Sequence, residues 1–397
     1  MCILIASTLH PDYSLILLSN RDEYLKRPTS KARFWDPPHD NILGPFDLAR
    51  PEHGTWIGIT KQGRLAVLLN FHEPASQNHK GAISRGLFPR EFLESDMDPE
   101  EWINRQQTKY GEALTNTGGF TMFCGVLRRR FDANCKEVGI RPFHLLSNRG
   151  GDAGVHLFSE QPKPLNGHAK SATSVPPSPL TKPATEETLT NKCGGETELD
   201  PTKPDPTEVD DDGAICGKTI GISNSQVTQP WPKVKLGVSS LEKLIKEVSE
   251  TKLPEHELVS KLICLMNTDT YPRENIAKNE NSDRMAIGTI ASYKGSSGHQ
   301  VVDLDKIFYN LRYSVFVPTI NLKTVGGNQD ESSTQSTTAA GATDDDGVHY
   351  GTRTNTIILV SHTGHVKYIE RTLHSEDTLI EKDGVQESVF EFDIEGF

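Results

Sequence analysis

The chain has 397 residues, of which 42 are basic and 54 acidic, for a net charge of −12. That balance excludes bulk nucleic-acid binding, which needs clustered Lys and Arg to neutralise phosphates. Hydrophobic residues make up only 35%, and the shortfall collects in two polar stretches. The six cysteines (Cys2, Cys124, Cys135, Cys193, Cys216, Cys264) form no CxxC pair and have no metal-ligand spacing. Neither a disulfide scaffold nor a bound metal is expected.

Strand signals open the chain. "CILIAST" and "SLILLSN" flank a turn at His10–Tyr13 and read as a hairpin. The second run breaks off into Asn20, Arg21, Asp22 and Glu23. "GTWIGIT" (54–60) and "RLAVLLNF" (64–71) form a second pair around Lys61-Gln62-Gly63, with Trp56 alternating into the core. Two helices follow. "SRGLFPREFLES" (84–95) starts on a Ser cap but contains Pro89, and "DPEEWINRQQTKYG" (98–111) has an Asp cap and Pro99 in its first turn. "GGFTMFCGVL" (118–127) and "RPFHLLSN" (141–148) are further strands. Arg128-Arg129-Arg130 between them reads as a solvated strand end.

The stretch 159–214 has almost no large apolar residues and cannot offset its own ordering entropy. It reads as a disordered insertion, as does 326–347. "KTIGISNS" (218–225) is a strand with a polar end. Leu241, Leu244, Ile245 and Val248 then fall at helical spacing, and "PEHELVSKLICLMN" (254–267) is a second helix. The last elements are a hairpin, Thr356–Ser361 with Val366–Arg371, and a strand in "ESVFEFDI" (387–394). Leu15–Leu18 and Ile357–Val360 are apolar on both faces, so their strands should be covered on both sides. The pattern points to one α+β domain over 1–397: two stacked, mainly antiparallel sheets with helices outside, interrupted by the two insertions.

The first hairpin carries the chemistry. A turn at His10–Tyr13 sets Cys2 against Arg21 or its neighbour. Removal of Met1 would leave Cys2 with a thiol and a free α-amine, and the amine can serve as base toward its own side chain. Arg21 would favour the thiolate, and Asp22 could accept from the α-ammonium. Adjacent strand residues point to opposite faces, however, which sets Arg21 and Asp22 apart. His39, His53, His72 and His79 match no ligand pattern and read as surface-loop residues.

"SNRDE" (19–23) resembles the signature of the NRDE family, the transport and Golgi organisation protein 2 family. Met1-Cys2-Ile3, Arg27-Pro28, Phe34-Trp35, Gly54-Thr55-Trp56, Leu69-Asn70, Ser84-Arg85-Gly86, Gly221-Ile222-Ser223-Asn224, Trp231 and "YGTRTNTIILV" (350–360) are similar to that family as well. The resemblance implies an N-terminal nucleophile hydrolase-like fold, a four-layer αββα sandwich. More remotely, it implies likeness to the cysteine branch that cleaves penicillin V and conjugated bile acids. In that branch the starting Cys is the nucleophile, an Arg and an Asp follow the second strand, and two Asn residues build the oxyanion hole. Here those positions are Cys2, Arg21, Asp22, Asn70 and Asn224. Arg353 or Arg85 stands for the branch's late arginine, and Asn20, Arg85 and Arg353 are the expected ligand-binding residues.

The family is associated with Golgi organisation, protein secretion and haem mobilisation. The expected function is therefore intracellular trafficking, with a small hydrophobic ligand, haem or an acyl lipid, bound near Cys2. Haem enters as cargo, and no cofactor is required. The alternative is a cysteine amidohydrolase acting on acyl amides or thioesters. No run reaches the roughly 20 apolar residues of a membrane span, and the start lacks a signal peptide. The expected setting is the cytoplasm, with peripheral contact to Golgi or mitochondrial membranes.

Overall fold

Alternation along two long strands decides how the chain layers. The computed structural model describes residues 2–73, 83–149, 156–158, 219–251, 253–272, 292–294, 300–302, 304–321, 349–374 and 385–397. The stretches 159–214 and 326–347, read above as insertions, lie outside the described residues.

The elements begin with β1 (Ile3–Ser7), β2 (Tyr13–Tyr24), β3 (Arg33–Phe34), β4 (Ile42–Gly44), β5 (Ile57–Thr60) and β6 (Arg64–Asn70). Three helices follow: α1 (Leu87–Leu93), α2 (Pro99–Tyr110) and α3 (Glu112–Thr115). Next come β7 (Phe120–Val126), β8 (Arg129–Phe131), β9 (Glu137–Ile140), β10 (Phe143–Ser147), β11 (His156–Leu157) and β12 (Thr219–Ile222). The remainder is α4 (Pro232–Thr251), α5 (Glu255–Met266), β13 (Ser292–Lys294), β14 (Gln300–Val302), α6 (Leu304–Asn310), β15 (Ile320–Asn321), β16 (His349–Ser361), β17 (His365–Thr372) and β18 (Gln386–Asp393).

The protein is α+β, built on two large antiparallel sheets. One runs β12-β1-β2-β16-β17-β18 with β15 added to β16, and the other runs β11-β10-β7-β6-β5-β4-β3. Inward residues of the first sheet (Leu4, Ala6, Leu15, Leu17, Ile358, Val360) pack on Leu65, Val67, Leu69 and Phe123 of the second. The opposite face of the first sheet (Ile3, Ile5, Ile16, Leu18, Ile357, Leu359) is covered by Val234, Val238, Leu241 and Ile245 of α4 and by Leu258 and Leu262 of α5. On the second sheet, Ala66, Leu68 and Met122 meet Phe88 and Phe92 of α1 and Trp102 of α2. The doubly apolar runs Leu15–Leu18 and Ile357–Val360 are thus covered on both sides, as their patterns require. Each fully buried Leu or Ile contributes roughly 1.5–3 kcal/mol.

Local chemistry explains most boundaries. Asp98 Oδ1 accepts from Glu100 N at 3.0 Å and starts α2. The helix expected from Ser84 begins instead at Leu87. Pro89 then falls in the first turn, where a missing N–H costs nothing. In α4, Leu241, Ile245 and Val248 are buried and Leu244 half-buried. The strand expected to stop at Asn20 continues to Tyr24 because β16 pairs with it throughout: Tyr350 faces Tyr24, Thr352 faces Asp22, and, past a bulge, Thr354 faces Arg21. Polar "GTRTN" supplies the partner that polar "NRDE" needs.

Gly54 and Gly86 cross backbone to backbone, and Thr55 N donates to Gly86 O at 3.0 Å. A Cβ on Gly54 would lie 2.6 Å from the Gly86 carbonyl carbon, with no flexible side chain to yield. Gly54→Ala should therefore lose about 1–3 kcal/mol of stability in urea titration; a loss under about 0.5 kcal/mol, the scale of an ordinary surface change, would contradict this packing.

Candidate functional site

The hairpin register builds one corner. β1 and β2 pair Ile3 with Asn20 and Leu4 with Ser19, so Cys2, just before β1, sits beside Arg21. Cys2 is half-buried and packs on the core between the sheets. Arg21 projects to the same side. Its guanidinium carbon lies 4.2 Å from the centroid of the Trp56 ring, and its Nη2 is 3.7 Å from Glu23 Oε2. Trp56, read from sequence as a core residue, is half-buried and also serves as the stacking surface for Arg21.

Asp22 faces the other way, as alternation demands. Its Oδ1 accepts from Thr352 Oγ1 at 2.7 Å, and Lys233 Nζ is 3.8 Å from Oδ2, with both charged side chains fully buried. Asp22 meets Cys2 through its backbone: Cys2 Sγ donates to Asp22 O at 3.8 Å, and Tyr350 Oη donates to the same oxygen at 3.1 Å. Burial pushes the Cys2 thiol up from its ordinary range; the charge of the amino terminus opposes this most, the Asp22 charge adds to it, and Arg21 opposes it least. The cation beside Cys2 does not by itself generate a thiolate.

The ends of β6 and β12 close the corner. Asn224 Nδ2 donates to Asn70 O, and His72 N donates to Asn224 O at 2.8 Å. Ser223 Oγ donates to Cys2 O at 2.7 Å and lies 3.1 Å from Asn224 Oδ1. The structure thus brings together Cys2, Arg21, Asp22, Asn70 and Asn224.

Other sequence-selected residues lie further out. Asn20 points toward the helices: its Nδ2 donates to Met266 O at 2.8 Å and Val315 O at 2.9 Å, and its Oδ1 accepts from Asn355 Nδ2 at 2.8 Å. Arg353 occupies the β16 bulge and donates to Arg27 O, to Tyr24 O at 3.4 Å and to His374 O at 3.5 Å, binding backbone to backbone. Arg85 donates to Gly119 O at 3.1 Å. Burial lowers its pKa, while Glu23 and Glu73 oppose that from the same charged rim. Among the described residues there is no group of three or more His, Cys, Asp or Glu fit to hold a metal ion. His39 pairs at 3.7 Å with Glu94 and His72 stands edge-on to Trp231, while His79 lies outside the described residues.

Two buried charges escaped the sequence reading. Lys233 stands in the first turn of α4, where the helix dipole disfavours a cation; that conflict was its signal. Glu370 shares the inward parity of Val366 and Tyr368 on β17 and is buried between the sheets. Its Oε1 accepts from Ala32 N at 2.7 Å, and its Oε2 has no hydrogen-bond partner among the described residues. Burial pushes its carboxyl from the ordinary 4.5 up to about 7, against the pull of the Ala32 N–H and of Arg21.

The profile of the Transport and Golgi organisation 2 family matches residues 1–375. The chain belongs to that family. It is 29% identical over 392 residues to an uncharacterized protein of Saccharomyces cerevisiae, covering 96% of this chain and 95% of that one. It is 24% identical over 368 residues to the mouse Transport and Golgi organization 2 homolog, covering 92% and 89%. With the bovine Transport and Golgi organization protein 2 homolog, identity reaches 38% over 94 residues, 23% of this chain and 33% of the relative. The family assignment agrees with the "SNRDE" signature at 19–23. Among the described residues no helix is long and apolar enough to cross a membrane.

Glu370 gives the fold a pH dependence. With a higher folded than unfolded pKa, the folded state binds more protons between pH 4.5 and about 7. Stability from this group is complete below pH 4.5 and falls as pH rises toward 7, by roughly 3 kcal/mol at most. Glu370→Gln, which keeps an acceptor for Ala32 N, should flatten that slope in melting curves taken between pH 5 and 7; an unchanged slope would refute the assignment.

Proposed function

We propose that this protein is a ligand carrier of intracellular trafficking that binds a small hydrophobic molecule with an anionic head, haem or an acyl lipid, at the Cys2 corner. The observation that carries this reading is Arg21. Its guanidinium is buried, its central carbon stands 4.2 Å over the Trp56 ring, and among the described residues it meets the Glu23 carboxylate only at 3.7 Å. Such a group offers N–H donors to an incoming carboxylate or phosphate in the fork geometry that arginine provides. The apolar part of the ligand would lie along the core between the sheets, where Cys2 is a lining thiol. The names of the mouse and bovine relatives, which mention transport and Golgi organisation, fit a carrier. We place its work in the cytoplasm, at the surface of Golgi or mitochondrial membranes.

Titration with haem, read as a shift of the Soret band, and with a long-chain acyl thioester, read by calorimetry, tests the proposal. One of the two should saturate, and Arg21→Leu should weaken it about tenfold to a hundredfold, the worth of one charge-assisted contact. Saturation with neither ligand would reject it.

A second reading is supported by the Asn70, Ser223 and Asn224 cluster around Cys2. In a four-layer αββα fold of the N-terminal nucleophile kind, loss of Met1 would free an α-amine to take the thiol proton. The thiolate would attack an amide or thioester carbonyl, and the asparagine amides would face the developing oxyanion. The acyl group would pass to Cys2 and then to water, with the amine or thiol leaving. Intact mass decides the first requirement, because a retained Met1 leaves no such base. Turnover of an acyl-amide or thioester panel by the shortened chain, abolished in Cys2→Ser, would place this reading above the carrier.

A further inference from the structure

The reading of the corner so far uses the inward face of β2. On the outward face, Asp22 and Lys233 form a second pair, and neither side chain is exposed. Lys233 is there because α4 begins there: Lys233 N donates to Arg312 O at 3.0 Å, and Val234 N to Trp231 O at 2.8 Å. Trp231 and Arg312 roof the spot, with the Arg312 guanidinium 5.1 Å and the Lys233 ammonium 5.8 Å from the indole centroid. On the far side, Val317 N donates to Thr352 Oγ1 at 2.8 Å while that hydroxyl donates to Asp22. The carboxylate is held from β16 on one oxygen and faces α4 with the other.

Asp22 is also the residue whose carbonyl oxygen receives the Cys2 thiol. We propose that Lys233 is a positioning residue for Cys2: acting through Asp22, it keeps the end of β2 in place and cancels the carboxylate charge that would otherwise hold the thiol protonated. The thiol's reactivity is therefore set from the first turn of a helix on the opposite side of the sheet. Among the described residues, Arg21 on β2, Lys233 on α4, and Tyr350 and Thr352 on β16 face Asp22 and Cys2, the charge of the amino terminus also acts on the thiol, and Lys233 pairs with the carboxylate itself. Burial lowers the Lys233 pKa, and Asp22 and Cys2 oppose that loss of charge. This goes beyond the proposed function, since it holds whether the corner binds or hydrolyses.

Alkylation of the full chain with iodoacetamide across pH, read by mass spectrometry of the peptide containing Cys2, tests it. The exposed Cys135 and Cys264 thiols provide the reference. Lys233→Met should move the Cys2 midpoint up by about one unit, a tenfold slower reaction below the midpoint, while Cys135 and Cys264 keep their rates. Asp22→Asn/Lys233→Met should restore the Cys2 midpoint to near the original. An unmoved midpoint in Lys233→Met, or a shift that the double variant retains, overturns the proposal. If Lys233→Met does not fold, the double variant is compared with Asp22→Asn alone. The pair requires the double variant to melt higher, because a buried ammonium stripped of its carboxylate is worse than a methionine; an equal or lower melting temperature overturns it. Failure of wild-type ligand binding and turnover would remove the proposed function and leave these titration results standing.

Discussion

β2 is hydrogen-bonded on both sides while its sequence turns from apolar to charged, and the rest of the site depends on that. Paired with β1 and β16, it cannot leave the sheet at Asn20, so the charged residues that follow must be buried on one face or the other. The two-residue period then assigns them: Arg21 inward with Leu15 and Leu17, Asp22 outward with Ile16 and Leu18. A slip of one residue would exchange them, setting a carboxylate on the Trp56 ring and a guanidinium against Lys233. Both exchanged contacts are repulsive, so the charged pair specifies register as firmly as the apolar core does.

Each buried charge has its own physical answer. Arg21 lies on an aromatic face, Asp22 takes Thr352 and Lys233, and Lys233 takes Asp22. Glu370 answers by holding its proton up to about pH 7. Buried ion pairs are poor sources of net stability, since desolvation offsets most of the Coulombic gain. What they supply here is position. The pair joins the first turn of α4 to the end of β2, while Ser223 and Asn224 join the end of β12 to Cys2 and to the end of β6. Five segments of the chain are thereby tied at one corner.

Much of this was legible in the residues. The turn at His10–Tyr13 determines the register that brings Cys2 to Arg21, and alternation separates Arg21 from Asp22. Asn70 and Asn224 each end an apolar strand, and they meet as the family resemblance implies. What escaped has identifiable causes. Polarity suggested that β2 stops at Asn20, but strand length is a property of both partners, and Thr352 and Thr354 lie over three hundred residues away. Lys233 was not singled out, because helix periodicity does not reveal that it stands buried beside Trp231 and Asp22. Glu370 had the correct parity for the interior, yet sequence does not reveal that the N–H of Ala32, in the loop before β3, meets it there. Arg353, expected to bind ligand, sits in the β16 bulge, a placement the sequence does not show, and donates there to carbonyls of its own chain. The short strands β3, β4, β8 and β9 carry too few residues for a period to register.

The state of the thiol connects this architecture to function. Burial raises the pKa of the Cys2 thiol, and its S–H donates to the Asp22 carbonyl. Its own carbonyl is held by Ser223, so the start of β1 is anchored on both sides of the Cys2 side chain. A nucleophile at rest in that condition needs a base before it can attack, and the cation nearby is insufficient because desolvation outweighs it. The proposed binding role needs no such step: it draws on the Arg21 guanidinium against the Trp56 ring and on the apolar interior between the two sheets.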